Sequence, residues 1–160
     1  MNVADYLIDS SGHNWTDLLA PWSSLLPEEF TLWLVNQVGD AFLIVPDGSV
    51  HVLDVGMGVF TPVADNREDF ADRIGENTDS WLLQYLIDEC SASGKFLQHD
   101  QCYGYKVPPM LGGKYAMDNL EPTDLSVHYH VLAQIAEQTR HLPEGTRIGQ
   151  AHLNDTEPRQ

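Results

Sequence analysis

The 160-residue chain has the length of one ordinary domain and a formal net charge of −16, from 24 acidic against 8 basic side chains. Its hydrophobic fraction of 42% is typical of a folded protein rather than of an acidic disordered segment. A negative field repels phosphate backbones and anionic membranes, so direct contact with nucleic acid or with a membrane is disfavoured, and a basic protein is the partner it attracts. We expect residues 1–150 to form a single domain and 151–160 a flexible polar tail.

The chain also carries no sign of export. Its first fifteen residues, MNVADYLIDSSGHNW, lack the basic segment and apolar run of a secretion signal, and no stretch approaches the length of a membrane span. Cys90 and Cys102 lie outside any CxxC or zinc-binding pattern. These features predict a cytoplasmic protein.

The first 38 residues are predicted to be helical pieces separated by turns. Apolar spacing favours helical segments at 3–8 and 15–19. A third helix is expected over 27–38, because Pro27 suits a first helical turn and Gly39 suits a helix end.

A β-meander is predicted next. The β-rich runs at 41–45 and 49–55 flank the Pro-Asp-Gly turn at 46–48, a pattern typical of a hairpin. The segment 59–64 can supply a third strand, and Pro62 indicates an edge position for it.

Two amphipathic helices are expected after the meander. Asn66 can cap a short helix that runs to Ile74 and ends at Gly75. Thr78 can cap a longer helix, near 79–92, that stops at a Ser-Gly pair.

The last long helix follows a glycine- and proline-rich passage at 104–113. It begins at Thr123 or Asp124, has apolar residues at helical spacing, and is predicted to span 124–141 before a Pro and a Gly end it. The predicted fold class is therefore α+β: an antiparallel sheet built around 41–64, extended by a strand near 102–107 and packed against several α-helices.

The sequence gives little support for catalysis or for a metal or cofactor. His128 and His130 are the closest pair of possible ligands, but residues two apart on a helix point about 200° apart and cannot share an ion. No GxSxG elbow is present, and the Leu-Gly-Gly-Lys run at 111–114 lacks the spacing of a phosphate loop. We therefore assign no catalytic residue, metal or cofactor, and predict a binding protein rather than an enzyme.

The most informative charged feature is a row of acidic residues on the predicted helix after 64. Their spacing gathers them within about 100° of one helical face, with Phe70 and Ile74 on the other side. Like charges four residues apart destabilise a helix, which makes the row a candidate interaction face; the alternative is a solvated face. The row is Asp65, Glu68, Asp69, Asp72 and Glu76. A second acidic group, Asp118, Glu121 and Asp124, precedes the last helix, where Asp124 is expected to act as an N-cap.

Four sequence runs are similar to a known bacterial family. They are GDAFLIVPDGSVHVLDVGMGVF, ADNREDFADRI, CYGYKVPPMLGGKY and DNLEPTDLSVHYHVLAQIAEQTRHLPEGT. In this order and spacing, over about residues 25–148, they resemble the immunity-domain family associated with DNase effectors of the type VI secretion system. The resemblance implies a cognate immunity protein that binds a nuclease toxin and blocks its active site, with Gly104, Gly112 and Gly113 as determinants of the fold.

A DNase holds DNA in a basic cleft, which an acidic protein can occupy. We therefore expect the toxin to be a basic, nuclease-like protein, and predict its contact residues to be Asp65, Glu68, Asp69, Asp72, Asp118 and Glu121. Two other functions stay open: an acidic regulatory or scaffold protein for another basic partner, and an unrecognised small-molecule enzyme. The oligomeric state is not predicted.

Overall fold

The structure, a computed structural model, describes residues 2–140. Four strands form one antiparallel sheet in the order β1-β2-β3-β4, and two more form a separate antiparallel pair, β5-β6. The strands are β1 Thr31–Val35, β2 Ala41–Ile44, β3 Val50–Asp54, β4 Val59–Ala64, β5 Gln101–Tyr105 and β6 Leu120–Asp124. The α+β class predicted from the sequence is confirmed.

Five α-helices complete the architecture within residues 2–140. They are α1 Trp15–Leu19, α2 Arg67–Glu76, α3 Thr78–Leu82, α4 Gln84–Ala92 and α5 Leu125–Arg140. Short 3-10 turns occur at Val3–Tyr6, Ala20–Trp22, Pro109–Leu111 and Met117–Asn119. Within residues 2–140, no helix combines the length and the apolar character needed to cross a bilayer.

Helices cover both faces of the four-stranded sheet. Side chains alternate between the faces of a strand, so Phe42 and Val50 enter one apolar cluster while Leu43 and Leu53 enter the other. The first cluster is closed by α2, α3 and α4, and the second by α1 and α5. The core therefore consists of two layers, one on each side of the sheet.

The predicted hairpin is confirmed, with β2 and β3 paired in the register Ala41–Leu53 to Ile44–Val50. Strand β4 pairs with β3 at the edge of the sheet, as Pro62 indicated. A bulge near Val63 interrupts that ladder, and Arg73 Nη1 donates to the Val63 carbonyl at 2.5 Å. At the opposite edge, the N-terminal segment runs beside β1, where Ile8 N–H donates to the Val35 carbonyl at 2.8 Å.

The helix predicted over 27–38 is wrong, because strand β1 occupies this segment. Its pairing with β2 buries Val35 almost completely. The free energy gained from this burial and strand pairing outweighs the local preference for a helix. Gly39 ends no helix; it lies in the β1–β2 turn with a φ of +93°, and a Cβ there would come within 2.9 Å of the His128 ring.

The helices after the meander differ from the prediction in two details. Helix α2 has the expected cap, since Asn66 Oδ1 accepts from Asp69 N at 2.8 Å, but it continues through Gly75 to Glu76. The longer helix is two helices, capped by Asn77 rather than Thr78 and broken at Leu83, whose φ is +56°. A left-handed residue cannot continue a right-handed helix, so the chain changes direction there.

Strand β5 does not extend the main sheet as predicted. It pairs with β6 instead, and the two strands approach so closely at Gly104 that a Cβ there would lie 2.4 Å from Thr123 Oγ1. Thr123 belongs to β6, and Asp124 caps α5. The expected end of the last helix beyond 140 and the polar tail at 151–160 lie outside the described residues, and the domain boundary at 150 stays a prediction.

Candidate functional site

The acidic row predicted from the sequence lies mostly on α2. Asp65 precedes the capping Asn66 and so stands just outside the helix. Glu68 and Asp72 are exposed and Asp69 is partly exposed. Phe70 and Ile74 are buried in the core, as predicted, so the acidic side chains share the solvent-facing side. Glu76 also stays on the helix, because Gly75 does not end it.

Basic residues on α2 offset part of this charge. Arg73 lies 3.4 Å from the Asp69 carboxylate, one turn earlier, and both side chains are about half exposed. Arg67 stacks over the Trp33 ring at 5.5 Å. An exposed ion pair of this kind stabilises by about 0.2–1 kcal/mol. Repulsion between the like charges therefore destabilises α2 less than the acidic spacing alone suggested.

The second acidic group occupies different elements. Asp118 lies in the 3-10 turn before β6, and Glu121 lies on β6; both are exposed. Lys95 Nζ donates to the Met117 and Leu120 carbonyls at 2.8 and 2.7 Å, which places a cation beside this group.

Asp124 acts as the predicted N-cap, accepting from Ser126 N at 2.9 Å and from Val127 N at 3.2 Å. The hydrogen bond from the Ser126 side chain has the largest effect on the pKa of Asp124, and with the two backbone hydrogen bonds it holds that pKa below its usual value.

The two acidic groups are not brought together by direct packing. Helix α2 packs on β4 and α3, whereas the turn with Asp118 packs on α4 and β6. Within residues 2–140 there is no extensive contact between α2 and either element of the second group. The six predicted residues therefore form two separate surfaces.

Two carboxyl groups that the sequence reasoning missed lie at the open end of the β2–β3 hairpin. Asp40 and Asp54 come one step beyond the Ala41–Leu53 pair, so the hairpin register sets them opposite each other. Asp40 accepts from Asn36 Nδ2 at 3.2 Å and from Val55 N at 3.1 Å, and Asp54 accepts from Met57 N at 3.0 Å.

Asp40 keeps some solvent contact, but protein atoms surround its carboxyl group. Burial, and then the charge of Asp54, raise the pKa of Asp40 well above its usual value, and burial also raises the pKa of Asp54. Counting residues outward from the predicted Pro-Asp-Gly turn would have found this pair.

Two tyrosines lie near enough to the acid pair for its charges to act on them. The ring of Tyr105 lies 5.9 Å from that of Tyr115, in an edge-on arrangement. The Tyr105 hydroxyl is buried and interacts with the Tyr115 side chain through a hydrogen bond. Burial, followed by the charges of Asp54 and Asp40, raises the pKa of Tyr115 to about 12, and the same kinds of influence raise the pKa of Tyr105. Both phenols therefore stay protonated beside the two carboxyl groups.

Helix α5 fixes the turn that carries Asp40. The His128 ring bonds through Nε2 to the Val38 carbonyl at 2.8 Å, and the Tyr129 hydroxyl donates to the Gly39 carbonyl at 2.8 Å. Burial lowers the pKa of His128 to about 4, so its imidazole is neutral at physiological pH. His128 is buried whereas His130 is exposed, which confirms that the two rings point to opposite sides of the helix.

Two surface grooves of the described residues differ in their lining. One beside α1, with a volume of about 460 Å³, is lined mainly by apolar side chains, and Glu28 is its one charged residue. Another, of about 410 Å³, lies beside α4 and has several polar side chains, including Asp5 and Asp88. Cys90 and Cys102 are both buried, and burial raises the pKa of each thiol, so neither is an activated nucleophile.

Comparison with known proteins gives one family match. Residues 64–136 match the family described as the type VI secretion immunity protein Tdi1, C-terminal. No curated protein matches the chain. The matched segment begins at the end of β4 and includes α2, both tyrosines, Asp118, Glu121 and His128, while Asp40 and Asp54 precede it.

This match confirms the resemblance to an immunity-domain family of type VI secretion that was found in the sequence. Residues 64–136 of this chain are similar to the C-terminal domain of the type VI secretion immunity protein Tdi1.

Proposed function

We propose that this protein is the immunity partner of a nuclease effector of type VI secretion, and that it neutralises the effector in the cytoplasm by covering its active site or DNA-binding cleft. The observation that carries the proposal is the family match over residues 64–136. The nuclease target and the mode of inhibition go beyond that match and rest on physical arguments.

Charge is the first argument. A nuclease must hold a polyanion, so its cleft presents Lys and Arg side chains, and a rigid body with a net charge of −16 competes for the same place. Complementary fields also speed association, which favours capture of the effector before it reaches DNA.

The exposed side of α2 supplies the proposed contact. Glu68 and Asp72 lie one turn apart on this side, with Asp65 just before the helix. Within the described part of the chain, the Asp69 carboxylate is held by its half-exposed pair with Arg73, which a basic side chain of the effector can replace at little cost. Asp118 and Glu121 lie on other elements than α2. In the proposal they either form a second contact with the effector or attract it at longer range through their negative charge.

A charge-reversal pair tests this surface. We expect Glu68→Lys with Asp72→Lys to weaken binding of the effector encoded beside this gene by about 10- to 100-fold at low salt, mostly through slower association. The difference is expected to shrink as salt screens the charges. Surface plasmon resonance at several salt concentrations measures both effects.

The matched control is Glu28→Lys with Glu29→Lys, which makes the same change in net charge at exposed positions before β1. Equal weakening by both double variants would mean that overall charge, not this surface, drives binding. Unchanged affinity in a folded Glu68→Lys, Asp72→Lys protein would remove α2 from the interface. Digestion of plasmid DNA by the effector, with and without this protein, tests the nuclease assignment separately.

A further inference from the structure

The groove of about 410 Å³ beside α4 has acidic walls and an aromatic rim. Its lining includes Asp5, Tyr6, Gln37, Asp88, Phe96 and Tyr103. Among the described residues that line it, none is basic. Lys95 precedes Phe96 in the chain, but its Nζ donates to two backbone carbonyls outside the groove. A negatively charged groove without a cation of its own attracts a basic group from another molecule.

Two carboxylates act on the same point of this groove, the Tyr6 hydroxyl. Asp88 Oδ1 accepts from that hydroxyl at 2.8 Å. This hydrogen bond is the main reason that the pKa of Tyr6 lies above its usual value, and the charge of Asp5 adds to the rise. Asp5 and Asp88 are exposed, and neither forms an ion pair within residues 2–140. A partner can therefore reach both carboxylates without displacing a cation.

Hydrogen bonds between distant segments hold the walls of the groove in place. Gln37 Nε2 donates to the Asp5 carbonyl at 3.0 Å, and Tyr103 N–H donates to the Gln37 carbonyl at 2.7 Å. The Tyr103 hydroxyl donates in turn to the carbonyl of Lys95, the residue before Phe96, at 2.5 Å. These bonds connect the turn that carries Asp5 to the segment that carries Phe96. A site fixed in this way loses little conformational entropy when a partner binds.

Phe96 gives the groove an aromatic side chain that the fold leaves uncovered. It is 65% exposed, and within residues 2–140 only one large apolar residue, Tyr85, is more exposed. Tyr85 lies three residues before Asp88 on α4, so the two side chains are neighbours on the helix surface. Asp88 therefore shares its helix face with one exposed ring and its groove with the other. Exposed aromatic side chains gathered in this way are typical of an interaction surface.

The carboxylates and the ring together define the ligand. Carboxylates repel an anion and bind a group with several N–H donors. A guanidinium is planar, so it can stack on an aromatic ring while its N–H groups donate to carboxylates beside the ring. An ammonium is more strongly hydrated and has no flat face to stack. An arginine side chain therefore fits this groove better than a lysine.

We propose that this groove receives an arginine side chain of the cognate effector, with its guanidinium bonded to Asp5 and Asp88 and stacked on Phe96. This rests on the proposed function in taking the effector as the source of the arginine. It adds a contact apart from α2, since no residue of α2 lines the groove. Substitutions on the two surfaces are expected to weaken effector binding additively.

Removal of the two charges tests the groove in a binding assay with the effector. Asp5→Asn with Asp88→Asn is expected to weaken binding by about 10-fold or more, while the amide oxygen at position 88 can still accept from the Tyr6 hydroxyl. The matched control is Glu29→Gln with Asp100→Asn, which makes the same change in net charge at exposed positions outside the groove. Equal weakening by both double variants, or unchanged affinity in the folded groove variant, would overturn the proposal.

Two substitutions of Phe96 separate stacking from simple apolar contact. Phe96→Leu keeps an apolar side chain but removes the ring, and is expected to weaken effector binding by about 2- to 5-fold. Phe96→Trp offers a ring that binds cations better, and is expected to bind at least as tightly as the wild type. Because the side chain is exposed, the unfolding midpoint should change by less than about 2 °C in each variant. Wild-type affinity in Phe96→Leu, or a larger fall of the midpoint together with weaker binding, would refute the stacked arginine.

A small probe keeps this inference distinct from the proposed function. If the wild-type protein binds no effector, the NMR signals of the Tyr6 and Phe96 rings are followed during titration with acetyl-Gly-Arg-Gly-amide, with its citrulline and lysine analogues, and with calcium chloride. Saturable shifts with the arginine peptide that are lost in Asp5→Asn, Asp88→Asn would support the groove while the proposed function fails. No saturable shift with that peptide, an equal response to the uncharged citrulline peptide, or a stronger response to lysine or calcium would overturn the arginine assignment.

Discussion

Replacing His128 by glutamine is expected to make the stability of this protein less sensitive to acid. His128 is almost fully buried between α5 and the β1–β2 turn, and burial lowers its pKa from 6.5 to about 4. Since the folded pKa lies below the unfolded one, the contribution of the neutral ring is complete above pH 6.5 and is lost as the pH falls towards 4. Glutamine keeps an amide donor for the Val38 carbonyl but has no proton to gain in this range.

The size of the effect follows from the shift. Each unit of pKa difference is equivalent to about 1.4 kcal/mol, so between pH 7.5 and pH 4.5 the wild type should lose about 2–3 kcal/mol of unfolding free energy through this one residue. The raised pKa values of Asp40 and Asp54 act in the opposite direction, because those groups destabilise the fold as the pH rises. Both acids are present in wild type and variant, so the difference between the two proteins isolates the histidine.

Urea unfolding followed by circular dichroism at pH 7.5, 5.5 and 4.5 provides the measurement. The stability advantage of the wild type over His128→Gln should shrink by about 2–3 kcal/mol across that series. A difference that stays constant with pH, or that grows in acid, would refute the reasoning and mean that the ring is protonated or hydrated in the folded state.

Two further predictions concern stability alone and use the same unfolding assay. Tyr129→Phe leaves the Gly39 carbonyl without its 2.8 Å donor and is expected to cost about 1–3 kcal/mol, whereas Tyr85→Phe changes little; equal stability of the two variants would contradict the assigned bond. Gly113→Ala would place a Cβ 1.6 Å from the Val107 carbonyl and should cost about 2 kcal/mol or more. The matched substitution Gly75→Ala, where a Cβ on α2 meets open space, should stabilise the protein by about 0.5–1 kcal/mol. If Gly113→Ala were instead the more stable of the two variants, the loop near Gly113 would have to move freely.

Local signals predicted well those elements that short-range chemistry determines. The Pro-Asp-Gly turn specified the β2–β3 hairpin and its register, and Asn66 specified the start of α2. The edge position of β4 followed from Pro62, which has no N–H to give to a further strand. In each case the deciding residue lies within or next to the element it defines.

The elements that were mispredicted depend on distant partners. Pro27 and the apolar run after it have a helical signature, yet pairing with β2 makes this segment a strand. Strand β5 pairs with β6, a segment whose acids and Pro122 concealed its strand character. No glycine marks the break at Leu83, where the Asp79 side chain accepts from Tyr85 N at 2.9 Å and α3 and α4 pack on the core.

The candidate sites also differ in whether local sequence or distant contacts determine them. The acidic face of α2 was visible in the sequence because helical spacing reveals it. The acid pair of Asp40 and Asp54 required the hairpin register, and its relation to Tyr105 required the docking of the β5–β6 pair beside the β3–β4 turn. Tertiary contacts of this kind have no local signature, so the position of Tyr105 beside the pair could be found only in the folded protein.

The protected borders of the main sheet limit how a partner can bind. One border is occupied by the N-terminal segment beside β1, and the other is interrupted by Pro62, by the bulge at Val63 and by the Arg73 guanidinium. Among the described residues, an extended peptide therefore finds no long uninterrupted backbone ladder at either border of the main sheet. Under the proposed function, recognition of the effector then depends on side chains, so a few surface substitutions can change the effector that is bound while the scaffold stays the same.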